Sequence, residues 1–200
     1  MKNIILFLII FFGLISCHKK ESQKLTDNTY IQEIFTKNEI KTLIKILDYF
    51  DSLVKESTKI QNIDSAYHIY CENLQSYNSP DELWNKLLEN QNKTYNFIKT
   101  IENQQVFREL WNKNYLIKYK TDTIGYYLNP NINGKYLKLL NYLLKKDSIY
   151  ISYKEDILSC GAIPPTLILC FSYSHKKFDF NDEVIRLFTA LHFITINTYH

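Results

Sequence analysis

The stretch TKNEIKTLIKILDYFDSLV, residues 36–54, decides the fold class. Ile40, Leu43, Ile44, Leu47, Phe50, Leu53 and Val54 recur at steps of three and four, which places them on one face of an α-helix. Lysines and carboxylates fill the other face. The start of the helix is marked as well. Thr36 can accept from the backbone N–H three residues on while Glu39 reaches back, a capping box, and Phe35 before the cap is placed to staple onto Ile40. Four glycines and four prolines in 200 residues leave long stretches unpunctuated, which favours helix over sheet throughout.

Downstream, residues 63–77 repeat the pattern with Ala66, Tyr67, Ile69, Tyr70 and Leu74, and Asp64 is a candidate cap. Ser79-Pro80-Asp81-Glu82 reads as a second capping box with proline at the first helical position, where its missing N–H costs nothing. One helix is expected from there through Leu83, Trp84, Leu87, Leu88, Gln91, Tyr95, Ile98 and Ile101, with residues 104–113 continuing it after a bend. Residues 115–128 are rich in Tyr, Ile and Thr and read equally as a short β-hairpin or as irregular chain, with Thr121-Asp122 and Gly125 as turns. Asn129-Pro130-Asn131 and Asn133-Gly134 mark a loop, and residues 136–146 a compact leucine-rich helix.

Residues 147–158 show both strand-like and helix-like spacing; helix is favoured, because isolated strands need partners and the chain offers few. Gly161 to Pro165 ends that element, and Pro165 opens an apolar helix too short to span a membrane. Asn181 or Asp179 is expected to cap a helix over 182–196 whose acidic first turn suits the helix dipole. That last helix is apolar nearly all round, so it should sit centrally. The reading is an all-α protein, an irregular antiparallel helical bundle with room for one hairpin near 115–128.

The N-terminus carries a different message. Residues 1–17, MKNIILFLIIFFGLISC, join one lysine to an apolar run of signal-peptide length that stops at Cys17 before the polar HKKESQK. Leu14-Ile15-Ser16-Cys17 resembles the lipobox of bacterial lipoproteins. The resemblance implies a signal peptide over residues 1–16 and a Cys17 that is diacylglyceryl-modified, becomes the new N-terminus and is then acylated. Two or more acyl chains hold a protein stably at a membrane where one does not. Residues 17–29 are too polar to pack and read as a flexible tether, leaving 30–200 as a single helical domain. The resemblance implies a place in the cell envelope, and the lack of an acidic run after Cys17 favours a domain facing the periplasm.

Composition narrows the function. Removing residues 1–16 leaves about 184 residues, enough for one domain with a sizeable core. The net charge of +3 is spread along the chain, and the lysine excess over the two arginines, Arg108 and Arg186, fits an AT-rich coding bias rather than a basic stripe for nucleic acid. Cys71, Cys160 and Cys170 remain in the domain; with Gly161, Pro164 and Pro165 between them, Cys160 and Cys170 are the pair best placed for a disulfide, the alternative being free cysteines that pack like small hydrophobes.

Chemistry-bearing motifs are sparse. No glycine-rich phosphate loop, nucleophile elbow or dinucleotide fingerprint occurs. Cys160 and Cys170 have His175 and His192 as nearby bases but no hydrolase signature, so no catalytic residue is assigned. His68, Cys71 and Glu72 stand at helical spacing but lack a fourth ligand and a partner histidine, so no metal or other cofactor is assigned. Adjacent carboxylates Glu155-Asp156 and Asp182-Glu183 point away from each other on a helix. The abundant aromatics, among them Tyr126, Tyr127, Trp84 and Trp111, suit a recognition surface or fill the core. The expectation is a membrane-anchored envelope lipoprotein with a non-enzymatic, protein-binding role; the alternative is a ligand-binding lipoprotein with an aromatic groove between helices.

Overall fold

In a computed structural model of the chain, residues 24–76, 80–117 and 124–198 are described. Ten α-helices and a two-stranded antiparallel hairpin are found among them: α1 Thr29–Ile34, α2 Lys37–Thr58, α3 Ile63–Gln75, α4 Pro80–Leu88, α5 Gln91–Ile101, α6 Gln105–Leu110, β1 Trp111–Ile117, β2 Ile124–Pro130, α7 Lys135–Leu144, α8 Ile149–Cys160, α9 Pro165–Tyr173 and α10 Glu183–Ile196. Single 3-10 turns occupy Leu25–Asp27 and His175–Lys177. The all-α bundle with one hairpin read from the sequence is the fold observed. Among the described residues no helix is long and apolar enough to cross a membrane.

Helix α2 has the predicted capping box: Thr36 Oγ1 accepts from Glu39 N at 3.3 Å and Glu39 Oε2 accepts from Thr36 N at 2.7 Å. Glu39 also receives the Lys135 ammonium at 2.6 Å, so the cap of α2 holds the first turn of α7. Burial raises the Glu39 pKa, but Lys135 and the Thr36 N–H outweigh it and hold the carboxyl below its usual range.

Helix α10 is the hub. Every residue from Arg186 to Thr198 is buried. Phe193 stacks on Phe50 of α2 and meets Tyr70 of α3 edge-on. Phe188 meets Tyr153 of α8, and His192 stacks on Phe171 of α9 with ring centres 4.7 Å apart. Thr195 accepts the indole N–H of Trp111 at 2.8 Å, and Thr198 accepts from Leu128 N, so the hairpin is tied to the C-terminal end of the same helix.

One ion pair fixes α10 against α2. Arg186 Nε lies 3.3 Å from Asp51 Oδ1, an ion contact rather than an aligned hydrogen bond, and Tyr67 of α3 donates its hydroxyl to the same oxygen at 2.7 Å. Arg186 Nη1 donates to the carbonyls of Phe180 and Asn181, and Nη2 stands 3.9 Å from Glu183. Glu183 in turn accepts from Leu25 N at 2.8 Å.

Several elements depart from expectation. The tether does not extend to residue 29: Leu25 is fully buried and its N–H is held by Glu183, so the fold has begun by the first 3-10 turn. The long helix expected after Pro80 breaks at residues 89–90 into α4 and α5, and Ser79 of its expected cap lies outside the described residues. Residues 111–113 do not continue a helix; they begin β1, because the Trp111 ring turns into the core toward Thr195. The hairpin therefore runs from Trp111↔Pro130 to Ile117↔Ile124, with Gly125 inside the ladder opposite Leu116 and Thr121-Asp122 outside the described residues. Asp64 does not cap α3, a role taken by Asn62, which accepts from Ser65 N. Neither Asp179 nor Asn181 caps α10; Asp182 does, accepting from Val184 N at 2.8 Å.

Truncating Arg186 to methionine strands the Asp51 charge and the Phe180 carbonyl, so chemical denaturation should show a loss of about 3–5 kcal/mol. The double variant Arg186→Met/Asp51→Leu should recover a large part of that loss. Equal destabilisation in both would mean that the charge pair is not what ties α10 to α2.

Candidate functional site

The residues that the sequence marked for chemistry are dispersed by the fold. Cys160, on the last turn of α8, and Cys170, on α9, are both free and exposed, so the disulfide considered for them is not formed in this structure. Gly161, in the left-handed conformation at φ 66°, ends α8 and Pro165 starts α9, as the turn reading requires, but both thiols lie on outward faces. Cys71 is free and buried, and burial pushes its thiol up to about 12. Among the described residues no histidine hydrogen-bonds to any of these thiols. Cys17, the expected lipidation site, lies outside the described residues together with the whole of residues 1–23.

The adjacent carboxylates have structural work. Asp182 caps α10 and takes the Lys146 ammonium at 2.6 Å; Glu183 holds Leu25; Glu155 and Asp156 are exposed on α8. Trp111 and Tyr126 are buried and Tyr127 is half-buried, so these rings serve the core more than a groove. The Trp84 side chain lies outside the described residues. Tyr126 also takes cations on its face, Lys113 at 4.4 Å and Lys99 at 5.6 Å, while both lysines pair with Glu102.

One constellation forms that spacing did not reveal. His68 of α3 and His175, 107 residues apart, meet through their Nδ1 atoms at 2.9 Å. His68 Nε2 lies 3.7 Å from Asp64, four residues earlier on the same helix, and His175 Nε2 lies 3.9 Å from Glu72. The result is a row of carboxylate, imidazole, imidazole and carboxylate. Cys71, grouped with His68 and Glu72 by spacing, points into the core while Glu72 points out, so helical spacing did not make a cluster of those three. Asp64 also accepts from Phe180 N at 2.9 Å, and the Phe180 ring packs edge-on against His68. His175 is buried and His68 partly exposed. Burial lowers the pKa of His175, the neighbouring His68 lowers it further, and Glu72 opposes both. Among the described residues no group of three or more His, Cys, Asp or Glu side chains gathers to hold a metal ion.

A second polar chain is wholly internal. His192 Nδ1 lies 2.7 Å from the Tyr153 hydroxyl, which lies 3.1 Å from that of Tyr136. His192 Nε2 has no partner. Complete burial holds this imidazole neutral and brings its pKa down to about 3. Such a chain positions core side chains and reaches no solvent.

No family model matches the chain, and neither a curated protein nor a solved structure is significantly similar to it. The functional reading therefore rests on the geometry.

The neutral state of His192 carries a measurable consequence. The unfolded chain protonates this histidine near the ordinary value of 6.5, whereas the fold refuses the proton until about 3. Its contribution to stability is complete above 6.5 and falls as the pH drops toward 3, by about 1.4 kcal/mol per pH unit. Urea unfolding followed from neutral to acid pH should show this slope, and His192→Phe should flatten it; an unchanged slope would assign the acid sensitivity elsewhere. Thiol labelling of the native protein should modify Cys160 and Cys170 readily and Cys71 only after unfolding. A native, unreduced protein that reacts at neither Cys160 nor Cys170 would show that the bridge forms after all.

Proposed function

We propose that this chain is a lipid-anchored protein of a bacterial cell envelope whose helical domain works by binding another protein. The observation that carries the reading is the outer face of α8. Ile151 and Leu158, seven residues apart and so on one helical row, are 49% and 44% exposed, while Tyr150, Tyr153 and Ile157 on the other face are buried. A helix that already buries one apolar face and still shows large aliphatic side chains on the other suits contact with a partner. Tyr173 on α9 and Tyr115 on β1 add exposed rings of the kind favoured in such contacts.

The chemistry of the domain supports a non-enzymatic role. Several buried titratable groups pair with one another: Arg186 with Asp51, Tyr67 with Asp51, and Tyr153 with His192 and Tyr136. The lipobox-like Leu14-Ile15-Ser16-Cys17 supplies the anchor, with Cys17 as the acylated residue. A chain fixed at that point needs no spanning helix.

Two experiments test the two halves of this reading. Cys17→Ser should leave the protein unprocessed or release it from membranes, and should abolish fatty-acid labelling; a labelled, processed variant would rule out the anchor. The full-length protein should retain a stoichiometric partner from envelope extract of its own source, and Ile151→Lys/Leu158→Lys should lose that partner while keeping the native circular dichroism. Retention by the double variant would move the interface off α8, and capture of nothing by either would count against protein binding.

A further inference from the structure

The histidine pair joins two parts of the fold that little else ties together by polar contacts. Helix α3 supplies His68, and the 3-10 turn after α9 supplies His175; the nearby polar links are Gln75 Nε2 to the Ser172 carbonyl at 2.8 Å and Phe180 N to Asp64 at 2.9 Å. We propose that His68 and His175 form a two-proton latch between α3 and the segment 172–180, tightened by the first proton and released by the second.

The proton inventory dictates this behaviour. In the uncharged pair one ring donates Nδ1–H to the Nδ1 lone pair of the other, and the accepting ring keeps its proton on Nε2. The donating ring then presents a bare Nε2 lone pair to a carboxylate, whichever ring it is, because Asp64 and Glu72 stand beyond the two Nε2 atoms. A first proton entering there removes that repulsion and leaves the Nδ1–H···Nδ1 bond in place, now charge-assisted. The row then carries one positive charge between two negative ones. A second proton has only the accepting Nδ1 left to occupy. It would set two N–H groups of two cations against each other at 2.9 Å, so the contact must open.

The surroundings decide which ring resists. His175 is faced from α3 by His68 and Glu72, with Asp64 beyond His68, and carries Lys176 on its own turn. Helix α9 has no charged residue, and its Cys170 and Tyr173 are exposed; the Phe180 ring that packs on His68 is uncharged. Burial, His68 and Lys176 all oppose a charge on His175 and only Glu72 favours it, so the releasing proton enters below the ordinary histidine range. Release frees the 3-10 turn and the residues that lead to Phe180, whose carbonyl is one of the groups held by Arg186.

Hydrogen exchange of the full-length protein tests the latch, with each rate divided by its intrinsic pH dependence. Protection over 172–180, taken as a ratio to that over 40–54 so that the global loss due to His192 cancels, should be equal or greater at about pH 6 than at about pH 7.5, and should fall by about tenfold or more at about pH 4.5. In His68→Gln the amide oxygen accepts from His175 in either charge state, so the excess acid loss over 172–180 should disappear. Imidazole nitrogen NMR of the wild type gives an independent reading: two separate steps, with the Nδ1 signals coupled in the first. An excess acid loss equal in wild type and His68→Gln, a loss over 172–180 no larger than that over 40–54, or two histidines that titrate independently would each overturn the latch.

Discussion

Arg186 is the constraint on which the rest of the structure depends. A guanidinium with 7% of its residue exposed cannot shed its proton, so the fold must surround it with acceptors. Asp51 answers from α2, Phe180 and Asn181 from the turn before α10, and Glu183 from the turn of helix below. The two carboxylates are themselves engaged, Asp51 by Tyr67 and Glu183 by Leu25 N. Burial raises the Asp51 carboxyl, with Arg186 and Tyr67 opposing. One cation thus sets the relation of α2, α3, α10 and the first 3-10 turn. Packing alone would let an all-round apolar helix such as α10 rotate or slide among equally greasy neighbours; a single directional charge pair removes that freedom.

The elements that were legible in the sequence are those whose instructions are local. The α2 capping box occupies four consecutive residues, and the structure repeats it atom for atom. The burial of α10 followed from its lack of a polar face, and the end of α8 from Gly161 and the two prolines beyond it. The misread boundaries are those where a distant residue outbid a local signal. Asp64 has the right chemistry to cap α3, but it is drawn to Phe180 N, 116 residues away, and Asn62 caps instead. Trp111 continues the helical spacing of Phe107 and Leu110, yet its indole is claimed by Thr195, and the chain turns into a strand. Leu25 sits in a polar stretch and is buried because α10 provides a carboxylate for its N–H.

The histidine pair belongs to the second group. His68 was noticed for its neighbours at three and four residues, which the fold separates, and His175 for its nearness to Cys170, which faces away. Nothing local in either segment specifies the other. The signal that could have joined them is topological: α3 and α9 pack together, so a histidine on the exposed edge of one and a histidine just past the end of the other fall at the same level. Reading that requires the helix pairing first. The aromatic content illustrates the same limit from the other side. Composition flagged it as unusual, but only the fold shows that rings such as Tyr67, Tyr136 and Phe193 are internal while Tyr115 and Tyr173 are not.

The position of α10 along the chain has a kinetic meaning. The hub of the core lies at residues 183–196, so α2, α3, α8, α9 and the hairpin have their apolar faces ready long before the element that fills the space between them is made. Closure therefore waits on sequence-distant contacts and cannot proceed strand by strand as the chain emerges from a ribosome. A polypeptide that stays open until residues 183–196 arrive is one that can be threaded through a narrow pore as an extended chain. For a protein with the export leader proposed here, late placement of the central helix reconciles a stable folded domain with passage across a membrane.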